Sequence, residues 1–231
     1  GAAFTWITGF CLLAMVYYMT AAQGSTFGKL VLGGSGAEDS GGVVGHGAAI
    51  GISVAAIVVI FFVYDVLWKA MQDEKKEMTA VIISFVGVVA LAFGLQQIFD
   101  GRAMFIHMGA LFGTIMAMNV WMRIWPAQKK IIGGVKGTNP APDPSFARLA
   151  GLRSKHNTYL SFPLVLFMVS NHYSPIYDNN YAWAVASAIV LIGWFMSKRL
   201  YVLSASPATA YYGAPAAAAT STPAAPAAGA K

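Results

Sequence analysis

The chain has 231 residues, of which 57% are hydrophobic and only 10% charged, with a mean hydropathy of +0.61 and a formal net charge of +6. A water-soluble domain carries about a quarter charged residues, so the composition excludes an ordinary soluble globule and indicates an all-α integral membrane protein. The basic residues lie between apolar runs rather than along one stripe, which argues against nucleic acid as a partner and makes bilayer topology their reading.

Six apolar runs are long enough, or nearly so, to cross a hydrocarbon core of roughly 30 Å. They are 4–22, 44–68, 79–99, 103–125, 157–173 and 181–203. The first opens almost at Gly1, with neither an initiator Met nor a charged signal region, so an incomplete or processed chain is expected. It holds Cys11, the single cysteine, which excludes an intrachain disulfide and a Cys-rich metal site. A Gly/Ser-rich connection, 23–42, leads to the second run, which begins beside His46 and ends on Tyr64-Asp65. The third closes on Gln96, Gln97, Asp100 and Arg102, which either line a polar pocket or cap a tight turn at Gly101.

The fourth run, GRAMFIHMGALFGTIMAMNVWMRIW, carries His107, Asn119 and Arg123. Polar side chains in hydrocarbon need a partner or a wet cavity; for Arg123 that is snorkelling or a pairing with Asp65. Leu111, Thr114 and Met118 share the helical face of His107, and Gly109 with Gly113 forms a G-x-x-x-G pair that permits close helix packing. A basic connection, 126–155, separates it from the fifth run. That run, RSKHNTYLSFPLVLFMVSNHY with its lead-in, carries His156 and His172, and Pro163 within it predicts a kink. The division is therefore a polytopic membrane domain, 1–203, as a six-helix bundle, and an Ala/Pro-rich tail, 204–231, expected to be flexible.

Orientation follows from charge. Lys69, Lys75, Lys76, Arg123, Lys129, Lys130, Lys136, Arg148, Arg153, Lys155, Lys198, Arg199 and Lys231 fall on one side of six spans, and only Lys29 and Arg102 on the other. The positive-inside rule makes the first side cytoplasmic, which places the tail in the cytoplasm. His46, His107 and His172 then share the periplasmic level, and His156 alone lies on the cytoplasmic side. Two imidazoles at one depth can ligate haem b, and three can hold copper or zinc, through bonds between helices. The candidate cofactor set is His46, His107 and His172, with His107 and His172 as the core metal pair. The plainer alternative is that each histidine is an interfacial residue satisfied by water or a backbone carbonyl. No phosphate-binding loop, dinucleotide fingerprint, nucleophile elbow or C-x-x-C-H haem-attachment motif is present.

At RAMFIHMGALFGTIMAMNVWMRIWPAQKKII and RSKHNTYLSFPLVLFMVSNHY the chain resembles the membrane domain of bacterial cytochrome c-linked urate oxidases, the urate oxidase N-terminal domain family. The supporting residues are His107, Gly109, Gly113, Thr114, Asn119, Trp121, Pro126 and Gln128, then Arg153, Ser154, His156, Asn157, Tyr159, Pro163, Ser170, Asn171 and His172. The resemblance implies an eight-helix membrane domain followed by a cytochrome c, so one helix before and one after the six, and the cytochrome itself, are expected to be missing here. It also implies a membrane redox protein that passes electrons to a cytochrome, with His107, His172 and Asn119 as candidate catalytic residues and other membrane subunits as partners. The alternative is a non-catalytic accessory subunit of a respiratory or photosynthetic complex.

Overall fold

The computed structural model describes residues 1–19, 46–71, 74–140 and 143–205. The connection 23–42 and the tail from 206 onward lie outside the described residues, and with them the expectation of a flexible tail. Every regular element among the described residues is helical. Helix α1 (Ala2–Leu13) runs into a π-helical segment (Ala14–Met19) and is followed by α2 (His46–Ala70), α3 (Glu74–Ile98) and α4 (Gly101–Asn119). A second π-helical segment (Val120–Ile124) joins α4 to α5 (Trp125–Val135). Helix α6 (Pro144–Val169), two short 3₁₀ turns (Ser170–His172 and Ser174–Ile176) and α7 (Ala182–Ala205) complete the order.

Among the described residues, five helical stretches are long and apolar enough to cross a membrane: Ala2–Met19, Gly47–Ala70, Lys75–Ile98, Gly101–Val135 and Ala182–Ser204. The run at 157–173 is not among them, because it is only the latter half of α6. That helix starts at Pro144, and its first half carries Arg148, Arg153, Lys155 and His156. The stretch 126–155, expected as a basic loop, is largely helix. Pro126 stands in the first turn of α5, where a missing N–H is harmless, and Pro144 opens α6 in the same way. Asp143 caps α6 by accepting a hydrogen bond from Ser145 N at 2.7 Å, which holds its exposed carboxyl below the usual carboxylate range.

Helix α4 is the centre of the bundle. Buried positions make up 72% of its most apolar window, against 11–22% for the other four stretches. It packs most extensively against α6, and the G-x-x-x-G pair explains part of this. A Cβ on Gly109 would lie 2.7 Å from Met168 Cε and 3.4 Å from Phe167 Cβ, whereas Gly113 meets only Leu164 at 3.9 Å. At the N-terminal end of α4, a Cβ on Gly101 would fall on the carbonyl of Tyr177, so only glycine allows that backbone approach. Gly193 does the same for α7 against Pro163, with Cδ 2.6 Å from the position of an added Cβ. Pro163 is itself buried, and α6 continues through it.

The turn between α3 and α4 resolves the alternatives for Gln96 and Asp100. Asp100 Oδ1 accepts from Ala103 N at 2.8 Å and caps α4. Gln96 donates to Asn180 O at 2.8 Å and accepts from Trp183 N at 2.7 Å, tying the end of α3 to the start of α7. The outward faces are apolar instead of polar: Ile82, Val86 and Phe93 on α3, and Leu191, Ile192 and Phe195 on α7, are all exposed. Such a surface suits hydrocarbon rather than water.

Candidate functional site

Two polar clusters are built on α4, one at each end. At the first, His107 is buried, with only 3% of its surface exposed. Its Nδ1 lies 2.8 Å from Ala103 O, one turn earlier. A carbonyl only accepts, so Nδ1 carries the proton, and in the neutral ring Nε2 accepts. Tyr18 Oη stands 3.2 Å from Nε2 and 2.7 Å from Ser53 Oγ, which itself lies 2.9 Å from Ile50 O. The imidazole stacks on Phe99 at 4.8 Å between ring centres and meets Tyr17 edge-on at 5.7 Å. The line Ser53–Tyr18–His107 thus joins α2, the π-helical end of α1, and α4 through hydrogen bonds, and ends on the Ala103 carbonyl as a pure acceptor.

At the other end, Asn119 is fully buried. Its amide donates to Tyr64 Oη and to Asn157 Oδ1, both at 3.0 Å, and Asn157 in turn donates to Met116 O at 3.1 Å. Beside it Asp65, 5% exposed, gathers three cations. Arg153 Nη2 lies 3.0 Å from Oδ1, Lys69 Nζ 3.0 Å from Oδ2, and Arg123 binds both oxygens in a fork, with Nε 2.9 Å from Oδ1. Arg153 has no exposed surface and lies over the Tyr64 ring at 5.0 Å. Its Nε finds no partner among the described residues. A second layer completes the cluster: Tyr64 Oη is 2.7 Å from His156 Nδ1, and the Trp68 ring meets the His156 ring at 4.0 Å.

Next to this cluster a cavity of about 760 Å³ opens between α2, α3, α4, α6 and α7. Its wall is mostly aliphatic, and its polar groups, among them His156, Ser84, Lys155 and Glu77, gather toward one end.

The two helical defects coincide with the two clusters. Tyr17 and Tyr18 lie in the first π-helical segment, and Arg123 in the second. A π-bulge shifts the register of side chains and often marks a functional position.

The sequence-derived candidates separate accordingly. His107 and Asn119 are twelve positions apart on one helix, about 18 Å along its axis, so they serve different clusters. Helices α4 and α6 run antiparallel, with Gly109 beside Met168 and Asn157 beside Met116. His172 therefore lies at the His107 end of the bundle, but on the exposed 3₁₀ turn after α6. His46 is the first residue of α2. Among the described residues no group of three His, Cys, Asp or Glu side chains is placed to hold a metal ion. As His107 stands, both ring nitrogens are engaged, and it fits a haem or metal only if Tyr18 swings away from Nε2.

A family model described as urate oxidase N-terminal matches residues 1–225. The chain belongs to the urate oxidase N-terminal family. No curated protein and no solved structure matched it. In this member of the urate oxidase N-terminal family, the residues that carry the resemblance divide between the clusters, His107 in one and Asn119, Arg153, His156 and Asn157 in the other. Sequence reasoning left Tyr18, Ser53 and Tyr64 out of any site. A hydroxyl in an apolar run is ambiguous until its partner on another helix is known. The spacing Arg153, His156, Asn157 was the one available signal, since it sets three polar groups on one face of a helix.

Proposed function

We propose that the chain is a membrane redox protein of urate oxidase type, lying in the bacterial inner membrane with the His107 cluster toward the periplasm and passing electrons to a cytochrome. The observation that carries this reading is the family match over residues 1–225. The buried His107 at the head of the central helix gives it a chemical centre. Apolar helices with exposed aliphatic faces support the bilayer placement, and the clustering of Lys69, Arg123 and Arg153 at one end supports the orientation.

Oxidation of a urate-class substrate releases electrons together with protons. The neutral His107, whose Nε2 accepts from the hydroxyl of Tyr18, is the group at this end that can take up a proton released by the substrate. His172 on the neighbouring exposed turn is the residue placed to meet a substrate or a partner cytochrome arriving from that side. If haem b or copper were bound, His107 and His172 would be its protein ligands and it would supply one-electron steps, whereas zinc held there would supply only Lewis-acid chemistry.

The test uses membranes carrying the full chain, with cytochrome c added as acceptor. Urate should drive cytochrome reduction, and His107→Ala should abolish it, while His172→Ala lowers it. An absorbance spectrum of the purified protein reports haem directly through a Soret band that both variants diminish. Urate-independent reduction, or equal rates in wild type and His107→Ala, would overturn the proposal. A chain that shows no turnover, but co-purifies with other membrane subunits that cover its helix faces, would be an accessory subunit instead.

A further inference from the structure

The cavity beside His156 has the size of a small-molecule site and the polarity profile of an amphiphile. From Glu77 to Leu91 the α3 wall covers about 21 Å of helix, and beyond the first two turns its lining is apolar. The polar groups stand at the Glu77 end. They differ from those of a simple phosphate site, because neither lysine there is without a contact. Lys155 Nζ is paired with Glu77 Oε1 at 2.9 Å, and Lys198 lies over the Trp194 ring at 5.0 Å.

Two neutral donors remain at this end. Tyr64 Oη already accepts from Asn119, so its own proton goes to His156 Nδ1, and the neutral imidazole carries its hydrogen on Nε2. Ser84 Oγ accepts from Trp68 Nε1 at 3.2 Å and keeps its own hydroxyl proton to give. The His156 ring is fixed by Tyr64, which is fixed in turn by Asn119 and by Arg153 on its face. An imidazole held from behind with its second nitrogen left over is the arrangement of a ligand-binding histidine.

We infer that this cavity binds a prenylated quinone, with a ring carbonyl accepting from His156 Nε2 and the isoprenoid tail lying along α3 toward Leu91 and Leu111. A quinone head is planar, uncharged and rich in acceptors, which matches two neutral donors beside the Trp68 ring. An anionic phospholipid head would have to compete with Glu77 for Lys155 and would leave the His156 and Ser84 donors to a phosphate rather than a carbonyl, and the phosphatidylglycerol arm of the test separates the two. The assignment does not depend on urate turnover.

The test titrates decyl-ubiquinone into the full chain held in phosphatidylcholine nanodiscs and follows quenching of tryptophan fluorescence, since Trp68 and Trp194 line the cavity. Saturable quenching is expected, with affinity falling at least tenfold in His156→Leu. Gly87→Trp is the second variant. Gly87 lines the cavity, and a Cβ there meets nothing within 4 Å, so the indole fills the tail channel without disturbing the packing; it should weaken binding to a similar extent. Phosphatidylglycerol should not displace the quinone. Non-saturable quenching, wild-type affinity in both variants, or displacement by phosphatidylglycerol would each overturn the assignment. So would a loss confined to Gly87→Trp, because the head would then not be held by His156.

Discussion

Asp65 is the residue whose replacement should harm the fold most. Its carboxylate is 5% exposed and is shared by Arg153, Arg123 and Lys69. The three cations are not equivalent. Lys69 is 48% exposed and Arg123 21% exposed, so each can turn to water or headgroups, and each pairing contributes no more than about 1 kcal/mol. Arg153 has no exposed surface and cannot relax. Asp65→Asn therefore leaves a buried guanidinium without a counter-charge, a loss of about 3–5 kcal/mol. Arg153→Met removes the stranded charge instead, and Asp65 keeps two cations, so the cost should be about 1–2 kcal/mol, mainly from the lost hydrogen bonds to Asp65 and Asn119. The double variant should be more stable than Asp65→Asn alone, because the same buried cation is gone. The assay is equilibrium unfolding in mixed micelles with rising SDS, read by circular dichroism, for all four proteins. If Asp65→Asn proves no less stable than Arg153→Met, or the double variant falls by the sum of the singles, Arg153 does not depend on Asp65 and the argument from burial fails.

Other expectations follow from single contacts. Gly101→Ala should lower stability by about 1–3 kcal/mol, since its Cβ would overlap the Tyr177 carbonyl; Gly87→Ala, in open space on α3, should raise it by up to about 1 kcal/mol in the same unfolding assay. Asp100→Ala removes the hydrogen bond to Ala103 N and should cost about 1 kcal/mol, with faster amide exchange at the start of α4. Tyr18→Phe should lower stability by about 1 kcal/mol and free His107 Nε2. The unpaired ring nitrogen should then bind added Cu(II) more tightly than the wild type, as an absorbance titration would show.

Much of the architecture follows from the order of residues alone. The apolar runs and their charged punctuation fix the positions of α1, α2, α3, α4 and α7, because a stretch that cannot be solvated must form its hydrogen bonds within itself. Gly109 was readable as a packing device, while the cap at Asp100 and the pairing of Arg123 with Asp65 were each one of two readings the sequence left open and the packing decided. The length of α6 was not, since its first half is basic and polar and only its burial against α4 and α5 holds Arg153 inside. The sites show the same division. His107, Asn119 and His156 announce themselves as polar groups in apolar helices, and the family likeness follows from their spacing. Which of them act together was decided by the packing of α4 against α2 and α6, for the partners of each lie on other helices. The π-helical turns that aim Tyr18 and Arg123 at those partners have no sequence mark of their own. A hydrogen bond between helices depends on rotation and axial shift, and a sequence read one helix at a time contains neither.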